Sequence, residues 1–108
     1  MSKRLLEPTK ARLEVVITPF EVEVEDCIVT IYEVSIIPAP QVPEGRLYWA
    51  TSQIHCRVGD KTVSSIIFPI TFRNSDDLRS KLSVEVSKFK YNLFLYGKDE
   101  LKRRGLAV

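Results

Sequence analysis

The stretch GRLYWATSQIHCRVGDKTVSSIIF, residues 45–68, contains the only Trp, the only His and one of the two Cys of the chain. A hydrolytic site would need His55 as the base and Cys56 or a serine as the nucleophile. Neighbouring side chains in a strand point to opposite faces, so His55 and Cys56 cannot form a pair. Ser64 is placed across from His55, but no acid is positioned to orient the imidazole. We therefore expect a protein that is not an enzyme.

The residues that could bind a metal or a cofactor form no recognisable site. Glu21, Glu23 and Glu25 follow one another at every second position, which on a strand separates successive carboxylates by about 7 Å. The sequence has no Cys-x-x-Cys, no glycine-rich phosphate loop and no Gly-x-Ser-x-Gly. We therefore expect no metal and no cofactor.

A tight turn at Gly59 and Asp60 predicts that the opening stretch is a β-hairpin, with type I′ or II′ geometry at the turn. This turn pairs Val58 with Lys61 and Cys56 with Val63. Alternation along the first strand then gives one face with an aromatic ring, several hydrogen-bonding groups and a cation. That face carries Leu47, Trp49, Thr51, Gln53, His55 and Arg57.

A face of this kind could bind single-stranded nucleic acid by stacking bases on the indole and by hydrogen bonding to base edges. Cations at the turn, at the start of the strand and in the N-terminal arm (Lys3 and Arg4) could contact phosphates. The predicted nucleic-acid-binding residues are Arg46, Trp49, Gln53, His55, Arg57 and Lys61. The sequence does not distinguish DNA from RNA.

The remaining β elements come from alternation and from proline positions. We predict strands over ARLEVVITP (residues 11–19), over FEVEVED, and over CIVTIYEVSII, whose apolar residues on both faces suggest a central strand covered on each side. PAPQVPEG reads as a loop, because its three prolines exclude a helix. Pro69 makes the last strand, TVSSIIFPITFR, an edge strand or a bulged one.

A helix is predicted after Asn74 or Ser75, either of which can cap it. Its apolar stripe has a period of 3.6 residues. Residues 82–96 also alternate and contain β-branched and aromatic residues, so a strand is the competing interpretation. KDELKRRG reads as a short helix that ends at Gly105. The stripe consists of Leu78, Leu82, Val86, Phe89, Leu93 and Tyr96.

A second apolar stripe lies almost opposite the first and predicts a homodimer, because apolar surface left over after core formation marks a partner site. The predicted dimer interface comprises Val84, Tyr91, Phe94 and Leu95. The acidic row Glu21-Glu23-Glu25 could meet the basic cluster Lys98/Lys102/Arg103/Arg104 of another copy.

Composition and charge set the remaining expectations. Residues 13–45 contain seven acidic residues and no Lys or Arg, whereas the rest of the chain is basic, and the net charge is +2. This distribution of charge permits a basic patch on one side of the folded protein but does not require it. The basic start has no apolar signal-peptide core, so we expect a cytoplasmic, non-membrane protein with Cys27 and Cys56 buried and reduced.

Together these features predict one α+β domain over residues 13–108, preceded by a basic and partly flexible arm over residues 1–12. The domain is an antiparallel sheet of four or five strands with a C-terminal helix on one face, in two layers. The expected function is non-enzymatic binding of single-stranded nucleic acid. The alternative is a protein-interaction or assembly subunit that dimerises through the helix.

Overall fold

The computed structural model describes residues 19–108, and the predicted N-terminal arm and the strand predicted before Pro19 lie outside them. The described chain has the predicted α+β architecture: one antiparallel sheet of five strands with one C-terminal helix. The elements are β1 (Phe20–Val24), β2 (Cys27–Pro38), β3 (Arg46–Val58), β4 (Lys61–Ser64), β5 (Phe68–Phe72) and α1 (Ser75–Arg103).

The sheet is a meander built on β3, the longest strand. The strands lie in the order β1-β2-β3-β4. β5 pairs with the first half of β3, on the same edge as β4, which pairs with its end. Val58 pairs with Lys61 and Cys56 with Val63, which confirms the predicted hairpin register. Gly59 has a φ of 69°, the left-handed conformation that the tight turn requires.

The interruption predicted near Pro69 lies just before it, between Ser64 and Phe68. Val63 of β4 is buried, and so are Ile70 and Phe72 of β5. The buried position is odd-numbered before the break and even-numbered after it, so the break changes which residues face inward. Pro69 lies in β5 and pairs with Thr51 of β3, the strand through which β5 joins the sheet. A strand with one free edge accommodates proline because the missing N–H need not serve a ladder on both sides.

Residues 82–96 are helical, so the strand interpretation is wrong. Asn74 caps α1, since its side chain accepts a hydrogen bond from the Asp77 N–H at 2.9 Å. α1 is kinked at Gly97, whose φ of 82° and ψ of 162° are not helical. The predicted short helix is thus the last part of α1, which ends at Arg103. Gly105 follows the Arg104 cap with a φ of 76°, and the Leu106 N–H donates to the Leu101 C=O at 2.9 Å.

The core lies between α1 and one sheet face. Leu78, Leu82, Val86 and Phe89 of α1 are buried there, but Tyr96 is 41% exposed, so it does not belong to the core as its spacing predicted. Its position just before the kink explains the difference, because the helical period breaks at the next residue. The Tyr96 ring instead carries the Arg104 guanidinium, 4.0 Å from its centroid.

Cys27 and Cys56 form a disulfide, so the prediction that they are unpaired is wrong, although both are buried as expected. They are directly opposite each other on β2 and β3, with their Cα atoms 4.3 Å apart. The two cysteines are 29 residues apart in the sequence, and only the strand register brings them face to face.

Candidate binding faces

The sheet face turned away from α1 is covered by no part of the described chain. We call it the open face. β2 is central, as predicted, but its outward residues are not covered: Ile28 and Ile37 are each 37% exposed. The expectation that β2 is covered on both sides is therefore wrong within residues 19–108, because the only described helix packs on the other face. The outward side chains of β3 are half-buried from Leu47 to His55, and Arg57 is exposed.

The central part of the open face is a network of hydrogen bonds. The Tyr32 hydroxyl donates to Gln53 Oε1 at 2.7 Å, and Gln53 Nε2 donates to the Ser65 carbonyl at 2.8 Å. His55 Nδ1 and Ser64 Oγ share a hydrogen bond of 2.7 Å across the strand pair. Gln53 and His55, which were predicted to read nucleic-acid bases, are thus engaged with other groups of the chain.

Tyr32 was not among the predicted site residues, and it reaches Gln53 because of a bulge in β2. The register between β2 and β3 shifts between Ile31 and Glu33, which leaves Tyr32 as the extra residue. A bulge inside an apolar run has no sequence signal of the kind that glycine or proline gives. After it, Val34 and Ile36 follow Ile31 on the inward-facing side of the strand, opposite Ala50 and Tyr48.

The six predicted nucleic-acid-binding residues do not share one face. Trp49, Gln53, His55 and Arg57 lie at alternate positions of β3 on the open face. Arg46 and Lys61 pair with Pro38 and Val58, at positions that alternation assigns to the α1 side. The Arg46 guanidinium lies over the Tyr48 ring, 4.9 Å from its centroid.

The charge of the open face is mainly acidic. Glu21 and Glu23 lie opposite Thr30 and Ile28, and Glu33 lies opposite Thr51, all exposed and all on this face. Arg57 is the one arginine or lysine that β3 presents here. The acidic row on β1 contains only Glu21 and Glu23 of the three glutamates predicted, because Glu25 lies in the turn after β1 with a φ of 56°.

Glu25 and Asp26 instead bind Lys90 of α1. The Lys90 ammonium donates to Asp26 Oδ1 at 2.8 Å and to Glu25 Oε1 at 3.0 Å. The hydrogen bond from Lys90 lowers the pKa of Asp26, and the bonds to Asp26 and then Glu25 raise the pKa of Lys90. This group connects the β1–β2 turn to the helix at the surface.

The second candidate face is the outward side of α1. Its apolar side chains are exposed by 57% at Val84, 62% at Tyr91, 84% at Phe94 and 48% at Leu95. We call these four residues the outer helix face. They lie opposite the buried stripe, and the kink at Gly97 comes just after them.

The basic cluster near the end of α1 is largely paired within the chain. Arg103 and Arg104 both donate hydrogen bonds to the Glu100 carboxylate, and Lys98 Nζ lies 3.6 Å from Asp99 Oδ1. The hydrogen bond from Arg104 lowers the pKa of Glu100. These contacts leave less free charge for the acidic row of another copy than the sequence suggested.

The grooves formed by residues 19–108 are lined mainly by apolar side chains and by charged groups that have partners within the chain. A groove of about 440 Å³ between β5 and α1 is lined by Pro69, Thr71, Ser80, Lys81 and Val84, among others. The Lys81 ammonium donates to the Thr71 carbonyl at 2.7 Å, which satisfies a backbone group at this edge of the sheet. Within residues 19–108, no three His, Cys, Asp or Glu side chains come together as a metal site would require.

No helix in the described part of the chain has the length and hydropathy of a membrane span. Comparisons with protein families, with curated proteins and with solved structures found no match to this chain.

Proposed function

We propose that this protein is a non-enzymatic assembly subunit that associates with copies of itself through the outer helix face. The observation that supports the proposal is the exposure of four large apolar side chains, two of them aromatic, on one side of a helix whose other side is buried. Aromatic residues are enriched in protein interfaces, and exposed apolar patches mark partner sites.

The test of this proposal is a variant that makes the outer helix face polar. Tyr91→Glu/Leu95→Glu should fold and remain monomeric, because it places two charges in the proposed contact. Ile67→Glu is the control, since Ile67 is a 55% exposed apolar residue that lies between β4 and β5 in the chain and is not part of α1. Light scattering over the micromolar range should show association for the wild type and the control only. A monomeric wild type at high micromolar concentration would contradict the proposal.

Single-stranded nucleic acid on the open face is the second candidate function. The position of Trp49 favours it, because the half-buried indole lies on the open face between two residues with smaller side chains, Ser35 and Thr71. The engaged polar network and the three glutamates weigh against it, since they leave few free donors and repel phosphate.

If the second candidate is correct, Trp49→Ala should weaken oligonucleotide binding by about ten- to a hundredfold, because each stacked base contributes roughly 1–3 kcal/mol. Arg57→Ala should reduce the slope of the logarithm of the binding constant against the logarithm of salt concentration by about one unit, as the loss of one phosphate contact does. Arg79→Ala, on α1, is the control and should change neither value. Binding that none of these variants changes would place the nucleic acid elsewhere.

A further inference from the structure

We propose that the open face binds the outer helix face of a second copy, so that copies join head to tail. This inference rests on the self-association proposed above and adds the identity of the opposing surface. It is carried by two surfaces that the described chain leaves uncovered and whose size and charge match.

The two surfaces match in apolar character and in size. Ile28 stands exposed on the open face where β1 to β4 lie side by side, and the half-buried Tyr32 ring borders this part of the face. Ile37 and Trp49 lie toward the other end of the sheet, beyond the reach of the same helix. A helix rises 1.5 Å per residue, so residues 84–95 span roughly 17 Å. The distance across four neighbouring strands is about 14 Å. The outer helix face can therefore cross the open face from β1 to β4.

The two surfaces also match in charge. Glu21, Glu23 and Glu33 of the open face have no ion-pair partner among residues 19–108, and all three are exposed. Helical periodicity places cations along both borders of the outer helix face, Lys81 and Lys88 on one and Arg79 and Lys90 on the other. Three of these cations already have acidic partners within the chain, of which Asp77 and Glu85 are half-buried and the partners of Lys90 are exposed. Ion pairs at the surface contribute little, so these cations can exchange partners.

A symmetric helix-to-helix dimer does not use these features. In an antiparallel pair of helices, each border lies against the same border of the partner helix. In a parallel pair, each border lies against the partner's opposite border. Both arrangements bring Lys88 and Lys90 close to cations of the partner, and like charges across an interface are unfavourable. Helix-to-helix contact also leaves both open faces uncovered. Head-to-tail contact covers both kinds of surface and produces either a ring or an open chain of copies.

Two variants, one on each surface, test the arrangement. Glu21→Lys/Glu23→Lys reverses the charge of the open face, and Tyr91→Glu/Phe94→Glu disrupts the outer helix face. The control is Glu44→Lys/Asp60→Lys, which makes the same change in charge at exposed loop and turn positions. Circular dichroism establishes that each variant is folded. Analytical ultracentrifugation then gives the mass of each protein alone and of the two variants mixed in equal amounts.

Wild type and control should grow beyond a dimer as concentration rises. Each surface variant alone should associate more weakly by roughly tenfold or more in Kd. The mixture should form a heterodimer and stop there, because each variant supplies the one surface that the other lacks. If Glu21→Lys/Glu23→Lys associates like the wild type, the head-to-tail contact is wrong, although self-association stands. A monomeric wild type overturns both proposals.

Discussion

At the scale of single residues, the turn between β1 and β2 adds a surface contact between the sheet and the helix. Glu25 adopts a left-handed backbone conformation, which is unfavourable for a residue with a Cβ atom. That conformation accompanies the placement of both turn carboxylates beside Lys90. The turn is therefore a contact between layers as well as a connection between strands.

The pKa shifts of this group predict how stability depends on pH. The pKa of Asp26 is lowered on folding, so its contribution is present above the ordinary aspartate pKa of about 4 and is lost as the pH falls through the lower folded value. The pKa of Lys90 is raised, so its contribution is lost only as the pH rises through its folded value. Lys90→Met should therefore lower the free energy of unfolding at pH values between the folded pKa of Asp26 and the folded pKa of Lys90.

The measurement is chemical unfolding of wild type and Lys90→Met at neutral and at strongly acidic pH. The difference between the two proteins should shrink at acidic pH, where Asp26 is protonated. Lys88→Met is the matched control, because Lys88 pairs only with Glu85 on the same helix. A difference that does not change with pH would mean that Lys90 contributes through packing instead of charge.

At the scale of elements, the link between β2 and β3 combines a long hydrogen-bonded ladder with the Cys27–Cys56 disulfide. A cross-link between residues 29 apart restricts the unfolded chain, and loops of this size give about 2–4 kcal/mol in the chain-entropy description. Disulfides are typical of oxidising compartments and of intracellular proteins from hyperthermophiles. The cytoplasmic location expected from the sequence stays a prediction.

Cys27→Ala/Cys56→Ala should therefore lower the free energy of unfolding by about 2–4 kcal/mol while the fold is kept, because the ladder remains. Denaturant titration of the variant against oxidised wild type measures the loss. Thiol titration of unfolded wild type without reductant should detect no free thiol. Two reactive thiols there would show that the disulfide is not formed in solution.

The sequence predicted elements whose signals are local. The turn at Gly59 and Asp60 determines the register of β3 and β4, and Asn74 caps the helix, so both were found. Features that depend on several elements were not found. The pairing of Cys27 with Cys56 depends on the register of β2, and the position of Tyr32 depends on a bulge. Which sheet face stays open depends on where α1 packs, and alternation alone does not decide that.

At the scale of the whole molecule, a two-layer domain with uncovered surfaces on both sides should gain stability by assembling. Association of folded copies favours the folded state by mass action. The Tm of wild type should thus rise with protein concentration, whereas the Tm of Tyr91→Glu/Leu95→Glu should not. Differential scanning calorimetry over a wide range of concentrations measures this. A Tm of wild type that is independent of concentration would mean that assembly does not contribute to stability.

The strand order has a consequence for how the chain folds. β1 and β2, and β3 and β4, are joined by two-residue turns, and only residues 39–45 separate β2 from β3. Short connections cost little loop-closure entropy, so the first four strands can form as successive hairpins without a long search. β3 takes part in three of the four strand pairings. We expect β3 to be structured early in the folding transition state, with α1 closing over the sheet afterwards.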